Sequence, residues 1–380
     1  MTVRVPFYRH DLGATELDAI ANVFRGPILT TGDVVASFEE AFAKYLGRRH
    51  ALAVTSCTGA MHMALLALGI GPGDEVITTP MTFIATAAAI METGAKPVFV
   101  DVEPDTGNID ARAVEAAITP RTRAILPVHL YGLLCDMRAL RKLADAHNLA
   151  IVEDSAHCVE GIRDGVRPGA FSDVACFSFY ATKNLACGEG GALVTDRTDL
   201  LETLRLLRLH GMTKSAADRH REGYRHWDMK LLGWKYNMDN IHAAMLLPQL
   251  QRLDRKLVER ERLAKRYSER LASLNWLQIP AVPEGTVHAR HLYPVWVEAP
   301  LRDRMIEGLQ ERGVPTVVNY RAIHLTSFLR ETHGHESGDF PRAESIGDRT
   351  LSLPFYPGMP DDHIDIVCDA IEETAAEARC

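Results

Sequence analysis

Residues 97–128 read PVFVDVEPDTGNIDARAVEAAITPRTRAILPV. An apolar run (Pro97–Asp101) gives way to a turn rich in Asp, Gly and Asn, then to helical spacing over Arg112–Ile118, then to a second apolar run (Ala124–Val128). Two apolar strands separated by a helix form a βαβ unit, because parallel neighbours need a crossover long enough to return the chain to the same edge. The same alternation extends on both sides. Strands are expected at Ala51–Thr55, Glu75–Thr78, Leu149–Glu153, Val174–Ser178 and Ala192–Thr195, and helices at Met61–Leu68 and Met137–His147. Near-continuous apolar strands imply a sheet covered on both faces. The expected class is α/β, with a mostly parallel seven-stranded sheet in a large domain over residues 1–245.

Beyond residue 238 the texture changes. A long helical stretch, about 239–274, carries leucines 246, 250, 253 and 257 on one stripe, with Pro248 inside it as the expected kink. Its mixed charges from Arg252 to Arg270 read as a solvated face. Then follow a strand in LYPVWVE (292–298), a helix over Leu301–Arg312, a strand near VPTVVNY (314–320), a polar loop ETHGHESGD (331–339) and a closing helix from Asp361. This predicts a smaller α/β domain over 246–380, linked by the long helix. His333 and His335 read as solvent-exposed loop residues, and no metal site is expected.

The chain has 380 residues, 47% hydrophobic and 24% charged, which is too long for one compact core. No apolar run reaches the roughly 18 to 20 residues of a membrane span, and MTVRVPFYRHDLG lacks an apolar h-region, so the expected location is the cytoplasm with no membrane partner. A net charge of −8 argues against nucleic-acid binding. Any bound anion must therefore be held locally. Seven cysteines (57, 135, 158, 176, 187, 368, 380) form no CxxC pair and read as reduced, mostly buried thiols.

Three stretches carry candidate chemistry. In FSFYATKNLACGEGG (177–191), Lys183 follows an apolar strand ending in Ser178 and sits among small residues. A lysine desolvated at a sheet's mouth loses its ammonium preference, and the free amine becomes a nucleophile toward a carbonyl. In IVEDSAH (151–157), Asp154 falls just past the carboxyl end of a strand, where ligands of open α/β sheets collect. A carboxylate there serves a ribose, a metal or the protonated ring nitrogen of pyridoxal phosphate, or else it caps the next turn. His157 shares that pocket. In TSCTGAMHMALLAL (55–68), Cys57, Thr58 and Gly59 open a helix whose backbone N–H groups either cradle a phosphate or are ordinarily capped. The glycines of GIGPGD (69–74) precede a strand, so the dinucleotide fingerprint fails, and no GxxxxGK[ST], GxSxG or HExxH pattern occurs.

In order and spacing, Thr58 before a helix, TTPMTFIATAAAI (78–90), VHLYG (128–132), IVEDSAH, FSFYATKN with GEGG, and GWKYNMDNIHAA (233–244) resemble the DegT/StrS sugar aminotransferase family over residues 7–250. A weaker match runs through NYRAIH (319–324) and LSLPFYPGM (351–359). The nearest likeness is to enzymes that aminate carbon 4 of UDP-linked 4-keto sugars, of the UDP-4-amino-4-deoxy-L-arabinose aminotransferase type. The resemblance implies a pyridoxal 5′-phosphate-dependent transferase of fold type I. It also implies L-glutamate as donor with 2-oxoglutarate as product, a nucleotide-linked keto sugar as acceptor, and a homodimer with shared active sites. By the same resemblance, Lys183 is the Schiff-base lysine and general base, Asp154 pairs with the pyridine nitrogen, and His157 lies near the phenolic oxygen. Phe83 stacks on the ring, Ser178, Cys57 and Thr58 form the phosphate shell, and Asn237 reaches the phosphate from a neighbouring subunit. Arg321 and His324 resemble a nucleotide-sugar contact segment. Family members that act as dehydrases carry His where Lys183 stands, so the lysine implies amino transfer. The alternatives are a carbon-3 keto sugar or cyclitol substrate, or a non-catalytic cofactor-binding regulator.

Overall fold

The computed structural model describes residues 2–214 and 226–379. Seven strands form one sheet: β1 (His50–Val54), β2 (Glu75–Thr78), β3 (Lys96–Phe99), β4 (Thr122–Ile125), β5 (Ala150–Asp154), β7 (Val174–Ser178) and β8 (Gly191–Thr195), in the order β1-β8-β7-β5-β4-β2-β3. The pairs β2/β3, β2/β4, β4/β5 and β5/β7 are parallel. Only β8 runs against its neighbours, β1 and β7. The mostly parallel seven-stranded α/β sheet expected from the sequence is therefore present. Outside it, β6 (Ile162–Arg163) pairs with β10 (Thr286–Val287).

The strands are apolar on both sides because both sides are covered. Along β7, Val174 and Cys176 pack into one core with Met61, Ala64 and Leu204, while Ala175 and Phe177 pack into the other with Phe38 and Phe42. Phe42 meets Phe177 edge to face at 5.1 Å. The helix after β1 spans Cys57–Ala67, four residues earlier than its apolar pattern suggests, because the Ser56 hydroxyl accepts the Gly59 N–H at 3.0 Å and caps it.

A second sheet has β11 (Tyr293–Val297) between β12 (Thr350–Leu353) and β9 (Leu277–Gln278), all antiparallel. Tyr293, Val295 and Val297 pack with Leu263 and Tyr267 of the helix Leu253–Leu271 and with Ile364, Val367 and Ile371 of the closing helix Asp361–Arg379; Val5 joins this core from the N-terminal segment. Three expectations are corrected here. The segment 314–320 makes a single bridge, Val317 to Ser352, while residues 350–353 supply the strand. Pro315 offers no N–H to extend a ladder. The long helix is two, Asn240–Gln251 and Leu253–Leu271, parting at Arg252 four residues after Pro248. His335 is 17% exposed, bonded to Asp339 at 3.2 Å, with its ring near Phe99 and Phe340, so it is packed and not a solvated loop residue. Cys57, Cys135, Cys158, Cys176, Cys187 and Cys368 are free and buried; Cys380 lies outside the described residues. Among the described residues, no helix is long and apolar enough to cross a membrane.

At Gly191, which opens β8, a Cβ would stand 2.5 Å from the Ser56 carbonyl carbon, 2.6 Å from Cys57 N and 2.7 Å from Phe177 O. These are backbone atoms that cannot yield cheaply. Gly191→Ala is expected to lower stability by about 1–3 kcal/mol through overpacking, read from the urea midpoint at unchanged slope.

Candidate active site

The site grows from the carboxyl edge of the parallel strands. Asp154 ends β5 beside Cys176 of β7 and is 6% exposed. An isolated buried carboxylate is costly, so its oxygens need donors. Oδ2 accepts from Thr86 Oγ1 at 2.7 Å; Oδ1 accepts from the Ala156 N–H at 3.1 Å and from the Cys57 thiol at 3.8 Å. Burial, and next the Asp154 charge, push the Cys57 thiol well above its usual range, which keeps its proton on sulfur as a donor. Since Thr86 gives its proton to Asp154, Thr82 Oγ1 donates to Thr86 Oγ1 at 2.7 Å.

Lys183 enters from the turn after β7, with its own N–H bonded to Tyr180 O at 2.8 Å. Burial pushes the amine down to about 8, against the opposing pull of Asp154. Its Nζ lies 3.4 Å from His291 Nε2. Asn184, next in the chain, donates to Ala289 O at 2.9 Å and to Glu160 Oε2 at 3.1 Å. Glu160 is paired in turn with Arg260, and both side chains are almost wholly buried. The lysine's turn is thus pinned to the helix Leu253–Leu271.

His157 is buried and its basicity is pushed well down, first by burial and then by Lys183, so the ring is neutral. Nδ1 accepts the Tyr131 N–H at 3.2 Å, which places the ring proton on Nε2, where it donates to Tyr320 Oη at 3.1 Å. Tyr131 holds this geometry in a left-handed conformation, φ 60°. The Tyr320 segment is tied back to the large sheet where the Ile323 N–H meets Pro80 O at 2.9 Å.

Thr58 is half-buried in the first turn of the helix Cys57–Ala67, whose opening N–H groups have no intrahelical acceptors. Ser178 ends β7, and its Oγ accepts the Tyr180 N–H at 3.3 Å. Phe83 is 56% exposed, with its ring 6.1 Å from that of Tyr320. Asn237 pairs with Val54 in an isolated bridge; its side chain donates to Thr31 Oγ1 and accepts from Lys235 Nζ, each at 2.6 Å. Arg321 is exposed, whereas His324 is wholly buried, bonded to Glu344 at 3.1 Å and packed edge-on against Phe340. Sequence reasoning missed Thr86, Tyr320, His291 and the Glu160–Arg260 pair. Only Thr86 left a trace, as a hydroxyl in the first turn of the helix Ala85–Glu92, four residues after Thr82.

A buried carboxylate, an amine of depressed basicity a strand away, and free amides at a helix start form a donor set suited to an aldehyde cofactor with a ring nitrogen and a phosphate. The aminotransferase model of the DegT/DnrJ/EryC1/StrS group matches residues 10–372. The chain belongs to the DegT/DnrJ/EryC1/StrS aminotransferase family. It is 42% identical over 375 residues to SpsC of Bacillus subtilis, a spore coat polysaccharide biosynthesis protein, covering 97% of this chain and 96% of that one. The structure of S. venezuelae DesV in complex with ketimine intermediate is 40% identical and superposes with a TM-score of 0.92, covering 98% of this chain and 99% of that one. Streptococcus pneumoniae Spr1654, solved in PMP and PLP forms, is 28% identical; its PMP form gives a TM-score of 0.93 and covers 99% of this chain and 100% of that one. The enzyme is a transaminase of fold type I, and its cofactor is pyridoxal 5′-phosphate.

Because the Lys183 amine is depressed in the fold, the unfolded chain binds more protons between about pH 8 and 10.5, and the contribution of this group to stability rises with pH across that window. In cofactor-free protein, Lys183→Met is expected to be more stable than the parent at pH 7 by about 1–2 kcal/mol, a figure discounted for residual solvent contact. The gap should close toward pH 10.5. Calorimetric Tm values at pH 7 and above 10 check this.

Proposed function

We propose that this enzyme moves the amino group of L-glutamate to carbon 4 of a UDP-linked 4-keto sugar in the biosynthesis of a surface polysaccharide, lipid or glycan, working in the cytoplasm as a homodimer with shared active sites. The observation that carries the reading is the pairing of Asp154, buried and triply hydrogen-bonded, with the desolvated amine of Lys183. The motif order and the likeness to a polysaccharide biosynthesis protein support a sugar as acceptor. The proposed units are residues 1–245, large, and 246–380, small, with Val5 of the N-terminal segment packed into the small one's core.

Bound pyridoxal phosphate supplies an electron sink beside the carbon that loses its proton. Every other task falls to the chain. Lys183, about half deprotonated near pH 8, would take the proton from the donor carbon and deliver it to the carbon on the far side of the amino nitrogen, then reverse this for the keto sugar. Asp154 holds positive charge at the ring nitrogen; each pKa unit it adds there is worth about 1.4 kcal/mol. The Cys57 and Thr58 amides and the Ser178 hydroxyl hold the phosphate, joined by Asn237 from the neighbouring subunit. Phe83 covers the ring face, and His157 stands by the phenolic oxygen with its proton direction fixed by Tyr131 and Tyr320. Arg321 meets the nucleotide sugar. His324 acts at one remove, holding its segment through Glu344.

Two measurements test this. With glutamate as donor, a panel of UDP-, TDP- and GDP-linked 4-keto and 3-keto sugars, with keto cyclitols added, is expected to give turnover with a UDP-4-keto member; turnover confined to 3-keto or cyclitol substrates would overturn the assignment. Lys183→Ala is expected to lose at least about a hundredfold in kcat. Near-parental turnover in that variant would remove Lys183 from the reaction.

A further inference from the structure

We propose that His291 is a positioning residue for the Lys183 amine, its Nε2 accepting an N–H of Nζ whenever the lysine is not covalently engaged. This rests on Lys183 being the transferring amine. Three observations carry it. First, Nε2 lies 3.4 Å from Nζ, at the long end of such contacts, as is common in sites before substrate binds. Second, the ring is immobilised. The His291 and Leu292 N–H groups both donate to Tyr131 O, at 3.2 and 3.4 Å, and the ring lies 4.5 Å from that of His157, which Tyr131 and Tyr320 clamp from two sides. Third, the other ring nitrogen is free for the required proton. Nδ1 has no protein partner among the described residues, and a cavity of about 30 Å³ lined by Lys183, His291 and Arg260 has room for one or two waters to receive its N–H.

The consequence concerns direction. An amine with one N–H tied to a fixed acceptor has its lone pair aimed elsewhere, and misorientation of that lone pair slows each proton transfer without touching donor binding. A neutral acceptor also favours the ammonium, partly offsetting its desolvation. The charged and titratable groups around the pair are Asp154 and Cys57 beside Lys183, and His157, His288 and Arg260 beside His291. Burial, followed by Lys183, keeps His291 neutral, so the hydrogen bond and not a full charge links the two.

The test uses the full chain stripped of cofactor. Labelling of Lys183 by acetic anhydride, followed by mass spectrometry as pH is varied, reads its titration midpoint, and steady-state kinetics follow on the reloaded enzyme. The parent is expected at about 8. His291→Leu and His291→Asn remove the acceptor at Nε2 and are expected to lower the midpoint by about one unit, the scale of a hydrogen bond to a charged group, and to lower kcat about tenfold or more at unchanged KM for glutamate. His291→Gln reaches the Nε2 position and is expected to restore both. If His291→Leu fails to fold, His291→Asn decides. A parental midpoint in the folded variants, with or without loss of kcat, overturns the proposal and leaves His291 as packing. An active Lys183→Ala instead removes the premise, whereas an inert Lys183→Ala alongside a parental midpoint discards His291 alone.

Discussion

A carboxylate buried where a parallel sheet ends must be solvated by the protein, and Asp154 sets that demand here. Three donors answer it from three elements: a hydroxyl from the helix Ala85–Glu92, an amide from the turn after β5, and a thiol from the helix Cys57–Ala67. Each depends on sheet order. With β5 central and β7 at its side, the helices that follow β1 and β2 both bring their first turns to the same edge. A strand exchanged in that order would separate the donors and leave a buried charge unpaired, which costs several kcal/mol.

The second layer fixes the amine instead of the carboxylate. Asn184, beside Lys183, is held by Glu160, and Glu160 by Arg260, so the lysine's turn is referenced to a helix that also packs on Tyr293 and Val295 of β11. Hydrophobic replacements of such a pair are often as stable, so its value lies in geometry and not in net energy. Tyr131 does the same for the histidines. Its N–H fixes His157 and its carbonyl fixes His291, from one residue held at positive φ, a conformation that costs energy and persists only where the surroundings impose it.

Residues that announce themselves in the sequence are those whose partners are near in sequence or whose position follows a strand. Asp154 and Lys183 close or follow apolar runs, and β2 and β7 lie where the apolar residues place them. His291 is 108 residues from Lys183 and Tyr320 is 163 from His157, contacts made by the packing of the second sheet, which no local pattern encodes. The misplaced strand has a local cause. Residues 314–320 have β-branched composition but a proline, while Thr350–Leu353 looks unremarkable and pairs because β11 needs a partner on that edge. His324 reads as a ligand from its motif, yet its ring is spent on Glu344 and Phe340.

These layers leave an uneven electrostatic field around the amine. His157, His288 and His291 are all driven neutral by burial, with positive neighbours reinforcing the effect, and Cys57 is held as a thiol. With Cys57 held as a thiol, Asp154 is the partner whose charge favours the Lys183 ammonium. Were His157 or His291 protonated, its repulsion would drive the lysine's proton off at a lower pH. Keeping them neutral requires that they stay out of bulk solvent. Hence the closure of the second sheet over this edge is an electrostatic condition for the chemistry as much as a packing one.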